Sequence, residues 1–225
     1  MLNLKKITRK TSRIFASLVL MTAQMTPFFV FSGAKASALD TGFKVPTSTH
    51  TPNDWDVNTV ANVQTSNDVP VVLYASDNDG QEQGYSNFNF PAIPANSTID
   101  GVEVVVEAKS TDSGNDCQVR VNLSWNNGTN YTTAIDATID DTEGVDTLGG
   151  SNNNWGRTWS VGDFTNANFV LKIQDRDPGN QCTDDATTSV DQIQAKVYYT
   201  EPVPKPDLTI VKTNNVGNNV VVNGT

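Results

Sequence analysis

Apolar and polar residues alternate with a period of two along most of the chain. Val102, Val104, Val106 and Ala108 share one parity, with Glu103, Glu107 and Lys109 on the other. Cys117, Val119, Val121, Leu123 and Trp125 alternate with Gln118, Arg120, Asn122 and Ser124. Phe169, Leu171 and Ile173 alternate with Lys172 and Gln174, and Ile193, Ala195, Val197 and Tyr199 alternate with Gln192, Gln194, Lys196 and Tyr198. Period two predicts strands with one buried face, and that face pattern belongs to antiparallel sheets. Shorter strands are predicted over 69–75, 85–90, 133–139 and 145–148, and one helical turn over 161–166. Between them lie turn clusters, Asp77-Asn78-Asp79-Gly80, Ser113-Gly114-Asn115-Asp116, Asn126-Asn127-Gly128 and Asp177-Pro178-Gly179-Asn180, whose residues tolerate left-handed dihedrals. Asn127-Gly128 after a strand is a hairpin signal. The prediction is an all-β, two-sheet antiparallel sandwich over 39–201, jelly-roll-like, with an immunoglobulin-like order as the alternative.

The flanks read differently. Lys5, Lys6, Arg9, Lys10 and Arg13 precede an apolar run over 14–31 and then Ala36-Ser37-Ala38. A basic segment, an apolar segment and a small-residue site make residues 1–38 a signal peptide, cleaved between Ala38 and Leu39. Thr22, Gln24, Thr26 and Pro27 interrupt the apolar run and count against a retained anchor. At the other end, Pro202, Pro204 and Pro206 stiffen a linker over 202–206. Residues 207–225 then begin a further strand, too short a piece to bury a core.

Composition sharpens the address. The 225-residue chain holds 15 Lys+Arg and 25 Asp+Glu, a net charge of −10. Six of the cations and no acid precede Leu39, so the mature chain carries nine cations against 25 acids, a net charge of −16. Such a surface repels nucleic acid and anionic lipid. A membrane is met only through the signal peptide or a downstream anchor. Cys117 and Cys182 are the chain's two cysteines. In an exported protein they are expected to pair, and a cross-link closing some 65 residues is worth roughly 4 kcal/mol on the chain-entropy model. Two cysteines and a single distant histidine are too few for a zinc site.

Two stretches resemble known families. Asp207-Leu208-Thr209-Ile210-Val211-Lys212-Thr213, followed by Asn223-Gly224-Thr225, resembles the opening of the surface-protein repeat called domain of unknown function 11. That resemblance implies an immunoglobulin-like repeat of an envelope protein. Gly42-Phe43-Lys44-Val45-Pro46-Thr47, Tyr85-Ser86-Asn87-Phe88, Ile99-Asp100-Gly101-Val102, Trp155-Gly156-Arg157-Thr158-Trp159 and Val197-Tyr198-Tyr199 resemble β-sandwich modules of exported and phage-like bacterial proteins. This second resemblance implies architecture and a surface address but no ligand.

Little in the chain points to catalysis. His50 stands among threonines with no evident nucleophile and reads as a solvated loop residue, and no G-x-S-x-G elbow is present. Acids cluster in turns, at Asp77 and Asp79, at Asp140, Asp141 and Glu143, and at Asp175, Asp177, Asp184 and Asp185. Turn placement suits solvation or a hard cation, so Asp175, Asp177, Asp184 and Asp185 are the calcium candidates, and no other cofactor is implied. Trp125 has core parity. Trp155 and Trp159, flanking Arg157 in a Gly/Asn-rich stretch, are the candidates for a sugar-stacking platform. The function expected is a non-enzymatic secreted or cell-surface structural or adhesion module, with surface proteins or glycans as partners. The alternative is a carbohydrate-binding module of a larger extracellular protein. A hydrolase using clustered carboxylates is the third reading.

Overall fold

The computed structural model describes residues 38–73, 80–114, 117–179, 182–183, 186–203, 209–213 and 219–223. The strands are β1 (Ala38–Asp40), β2 (Ser48–Asn53), β3 (Val71–Leu73), β4 (Glu82–Ser86), β5 (Thr98–Ser110), β6 (Cys117–Ser124), β7 (Ile135–Ile139), β8 (Gly144–Gly149), β9 (Val170–Arg176) and β10 (Thr188–Thr200). A further two-stranded sheet pairs β11 (Thr209–Thr213) with β12 (Asn219–Asn223). One sheet of the sandwich has the order β1-β10-β5-β8, with β3 also on β10; the other runs β2-β4-β9-β6-β7. Every pairing is antiparallel.

From β3 to β10 this order is a jelly roll, with β3, β10, β5 and β8 facing β4, β9, β6 and β7. Successive strands cross from sheet to sheet, and β6–β7 is the one sequence-adjacent pair hydrogen-bonded within the described sandwich. The immunoglobulin-like order is therefore not formed, since it needs several neighbouring strands paired within one sheet.

Period two is what builds the core. In the β5–β10 ladder, Val106 lies opposite Ile193, Val104 opposite Ala195 and Val102 opposite Val197, all on one face. On the facing sheet, Val121 pairs with Ile173 and Leu123 with Leu171. All of these side chains are buried. Each large aliphatic among them contributes about 1.5–3 kcal/mol by leaving water, and a register slip of one residue would turn them all outward.

The shorter predicted strands form with shifted ends. The strand expected over 69–75 is Val71–Leu73, and that over 133–139 begins at Ile135. The strand expected over 85–90 is Glu82–Ser86 instead, because Asn87 and Asn89 adopt φ of 57° and 53°, which ends the ladder. The helical turn at 161–166 is the 3-10 helix Val161–Phe164, closed by a capping box between Ser160 and Asp163. Asn127 and Gly128 both take positive φ in a turn closed by Thr129 N–H to Asn126 O, as the hairpin signal implied. His50 lies on β2 opposite Gly84, not in a loop. Its ring nitrogens sit 2.6 Å from Thr51 O and 3.1 Å from Asn127 Oδ1, so it ties β2 to that turn.

Cys117 and Cys182 form the expected disulfide, with Cα atoms 4.9 Å apart. Residues 1–37 of the 1–38 signal-peptide reading and the segments 204–208, 214–218 and 224–225 of the linker and repeat lie outside the described residues, while Ala38 opens β1 opposite Thr200. Among the described residues no helix is long and apolar enough to cross a membrane.

Candidate functional site: the neutral end of the sandwich

Strand direction sorts the seven connections from β3 to β10 into two sets. The β4–β5 (87–97), β6–β7 (125–134) and β8–β9 (150–169) connections leave one end; the β3–β4, β5–β6, β7–β8 and β9–β10 connections leave the other. Hydrogen bonds tie each set together. Asn89 N–H donates to Asn166 Oδ1 (3.0 Å) and Asn127 N–H to Asn168 O (2.8 Å) at the first end. Ser110 N–H donates to Asp140 O (2.7 Å) and Thr111 N–H to Thr187 O (3.0 Å) at the second.

The two ends differ in charge. Among the described residues, the four connections of the second end hold five acids (Asp112, Asp140, Asp141, Glu143 and Asp177) and no lysine or arginine. Those of the first contain only Arg157 and Asp163, joined at 3.0 Å as an ion pair. The rest of the first end is asparagine, threonine, glycine and aromatic residues.

Arg157 and Trp159 meet here, together with Trp125, and neither predicted tryptophan forms an exposed platform. Trp155 is only 2% exposed, sits at φ 56° and donates its indole N–H to Val102 O at 2.8 Å. Trp159 is 5% exposed and donates to Asn154 O at 2.8 Å. Both indoles are core side chains whose polar atom is satisfied by backbone, so neither offers a face to a sugar. Arg157 is held between rings, its Cζ 3.9 Å from the Trp125 centroid and 4.5 Å from that of Trp159. Burial draws the Arg157 pKa down, against the opposing pull of Asp163. This cation–π stack is a structural brace for 154–164. Trp125, given core parity by the strand pattern, is half-buried against it.

What the end does expose is a groove of about 430 Å³ between 89–93 and 161–166. Its floor is Phe90, Ile93, Val161 and Phe164, and Asn89 and Asn166 stand at its rim. Phe90 lies flat against Phe88 (5.7 Å between centroids) and edge-on to Phe164 (6.0 Å) and Phe169 (5.2 Å). Asn166 Nδ2 donates to Asn89 Oδ1 at 2.7 Å, which with the backbone bond makes a reciprocal amide clasp. Sequence reasoning passed over the groove because Phe88 and Phe90 continue an apparent strand; the signal was the Asn-Phe-Asn-Phe-Pro run, whose asparagines favour a left-handed bend.

At the acidic end, the calcium candidates are only partly described. Asp175 Oδ1 accepts Thr188 Oγ1–H at 2.6 Å, and Asp177 Oδ1 accepts Cys182 N–H at 2.9 Å. Asp184 and Asp185 lie outside the described residues. Asp112 gathers near Cys117 and Cys182, but both sulfurs are spent in the disulfide. Hydrogen bonds from the Thr183 side chain, then from the Thr183 and Gly114 backbone, hold the Asp112 pKa below the usual carboxylate range. On the outer face of the β2-β4-β9-β6-β7 sheet the acids are also taken up. Glu82 pairs with Lys172, and Asp136 accepts a bidentate bond from Arg120 (2.7 and 3.0 Å) and another from Arg176 (2.9 Å).

No family model matches the sequence, and no curated protein matches it. Several solved structures are similar in fold. A structure of CBM4 is 14% identical, covering 56% of this chain and 80% of that one, with a TM-score of 0.36. A family 29 carbohydrate-binding module from Piromyces equi is 11% identical over 75% of this chain and 93% of that one, TM-score 0.35. A truncated AlyQ with CBM32 and alginate lyase domains is 10% identical over 76% of this chain and 36% of its own length, TM-score 0.40. At these values the likeness concerns the fold alone.

Proposed function

We propose that this chain is a non-catalytic, exported adhesion module that meets its target through the neutral end of its jelly roll. The separation of charge supports this most directly. An acidic protein whose jelly-roll connections carry acids at one end and, at the other, only the Arg157–Asp163 ion pair among aromatic and amide side chains has one set of loops suited to close contact with a neutral partner. The disulfide supports export, because such bonds persist in oxidising compartments. The hairpin β11–β12 is in keeping with a first hairpin of an immunoglobulin-like repeat.

A second reading, a carbohydrate-binding module within a larger extracellular protein, is favoured by the groove at the same end. The test of the first reading places charge at either end. Beads bearing the protein are scored for retention on glycan arrays and on cell envelopes. Ala92→Asp with Thr165→Asp should abolish retention, and Asp140→Asn with Asp141→Asn should leave it unchanged. Retention lost only in the second pair would move the contact to the acidic end and end the proposal.

A further inference from the structure

We infer that the groove between 89–93 and 161–166 is a pocket for one neutral sugar ring. This deepens, and rests on, the reading of the neutral end as the contact surface. The volume of about 430 Å³ falls within the roughly 300–1,000 Å³ typical of small-ligand pockets. Its chemistry is narrower than its size. Among the described residues no charged side chain lines it. A phosphate, sulfate or uronate would therefore lose its hydration without meeting a cation, and an ammonium would meet no acid. A purely apolar ligand would cover the amides of Asn89 and Asn166 without hydrogen-bonding them.

A pyranose meets both demands, with an apolar C–H face for the ring of Phe90 and hydroxyls that donate and accept at its edge. Phe90 is half-buried, stacked on Phe88 and packed edge-on against Phe164 and Phe169, so the part of it that lines the groove is a preset surface offered at little entropic cost. The amide clasp holds Asn89 and Asn166 in place while using only part of their capacity. Asn166 Nδ2 gives one hydrogen to Asn89, and each Oδ1 accepts one bond. A second N–H on Asn166 and a second lone pair on each oxygen remain for a ligand.

The test is an NMR shift titration of the whole chain with methyl hexosides of gluco, galacto and manno configuration, with glucuronic acid alongside. At least one neutral hexoside should bind with a Kd on the order of millimolar, shifting Phe90 and Val161, and the uronic acid should not. Ala92 lines the groove from an exposed position, so Ala92→Trp should fill it, weaken binding at least about tenfold and leave the melting temperature unchanged. Asn166→Ala should also weaken it. No shift with any neutral hexoside, preference for the uronic acid, or binding indifferent to Ala92→Trp would each overturn the inference. Bead retention that persists at the neutral end in Ala92→Trp would remove the sugar pocket alone, whereas retention lost only with the acidic-end variants would remove the adhesion surface itself.

Discussion

Trp155 is held by burial, by its bond to Val102 O and by close glycine contacts. A Cβ on Gly149 would lie 2.3 Å from Val102 O and 2.7 Å from the indole nitrogen, so only glycine lets the two segments approach. Trp155→Ala should cost about 3–5 kcal/mol in urea unfolding, the range for emptying a buried aromatic site. A solvent-facing platform residue would change stability by no more than about 0.5 kcal/mol. The sequence could not separate these cases, because a tryptophan in an aperiodic Gly/Asn stretch has no parity to assign it a side. Asp112 shows the same limit, since its partner Thr183 is distant in the chain. Its pKa is depressed in the folded state, so it stabilises above the unfolded carboxylate value near 3.9, and that contribution disappears as pH falls through the lower folded value. Urea midpoints measured as pH is lowered below about 4 should therefore fall less steeply for Asp112→Asn than for the parent; equal slopes would exclude the role.

Among elements, β5, β6, β9 and β10 were legible because each buries one face along a long ladder. Strands β1 and β2 were not. The β2 segment Ser-Thr-His-Thr-Pro-Asn has no apolar alternation, and it forms by adding to the edge of β4, where Pro52 is tolerated. Topology was legible only as a choice between two sandwiches, because crossing between sheets depends on pairings that period two does not encode. The disulfide binds elements far apart in sequence, joining the start of β6 to the connection before β10. Its position makes it a clamp on the end that carries Asp112, Asp140, Asp141, Glu143 and Asp177. Cys117→Ser with Cys182→Ser should lower unfolding free energy by about 2–5 kcal/mol, measured by urea denaturation. A loss near zero would mean that the loops are held by the Asp112–Thr183 bonds alone.

At the scale of the molecule, Asp112, Asp140, Asp141, Glu143 and Asp177, scattered among turns in the sequence, gather at one end, and the asparagine-rich aromatic loops gather at the other. That division was hidden because it depends on which connections share an end, and connection follows topology. It also determines how binding should answer to salt. Between about 0.1 M and about 1 M the screening length falls from roughly 10 Å to about 3 Å. A contact built on the acidic pole would need cations from its partner, and its affinity would drop across that range as the attraction is screened. A contact at the neutral pole has Arg157 and Asp163 already neutralised by each other, so it offers screening little to act on. Its apolar component should hold or strengthen slightly, because excluded salts favour burial of apolar surface. Retention on the target should therefore stay level as sodium sulfate is raised, while the acidic-end variant pair Asp140→Asn with Asp141→Asn follows the parent curve. A steep fall with salt that those substitutions abolish would put the acidic pole, not the groove and its surrounding loops, in contact with the target.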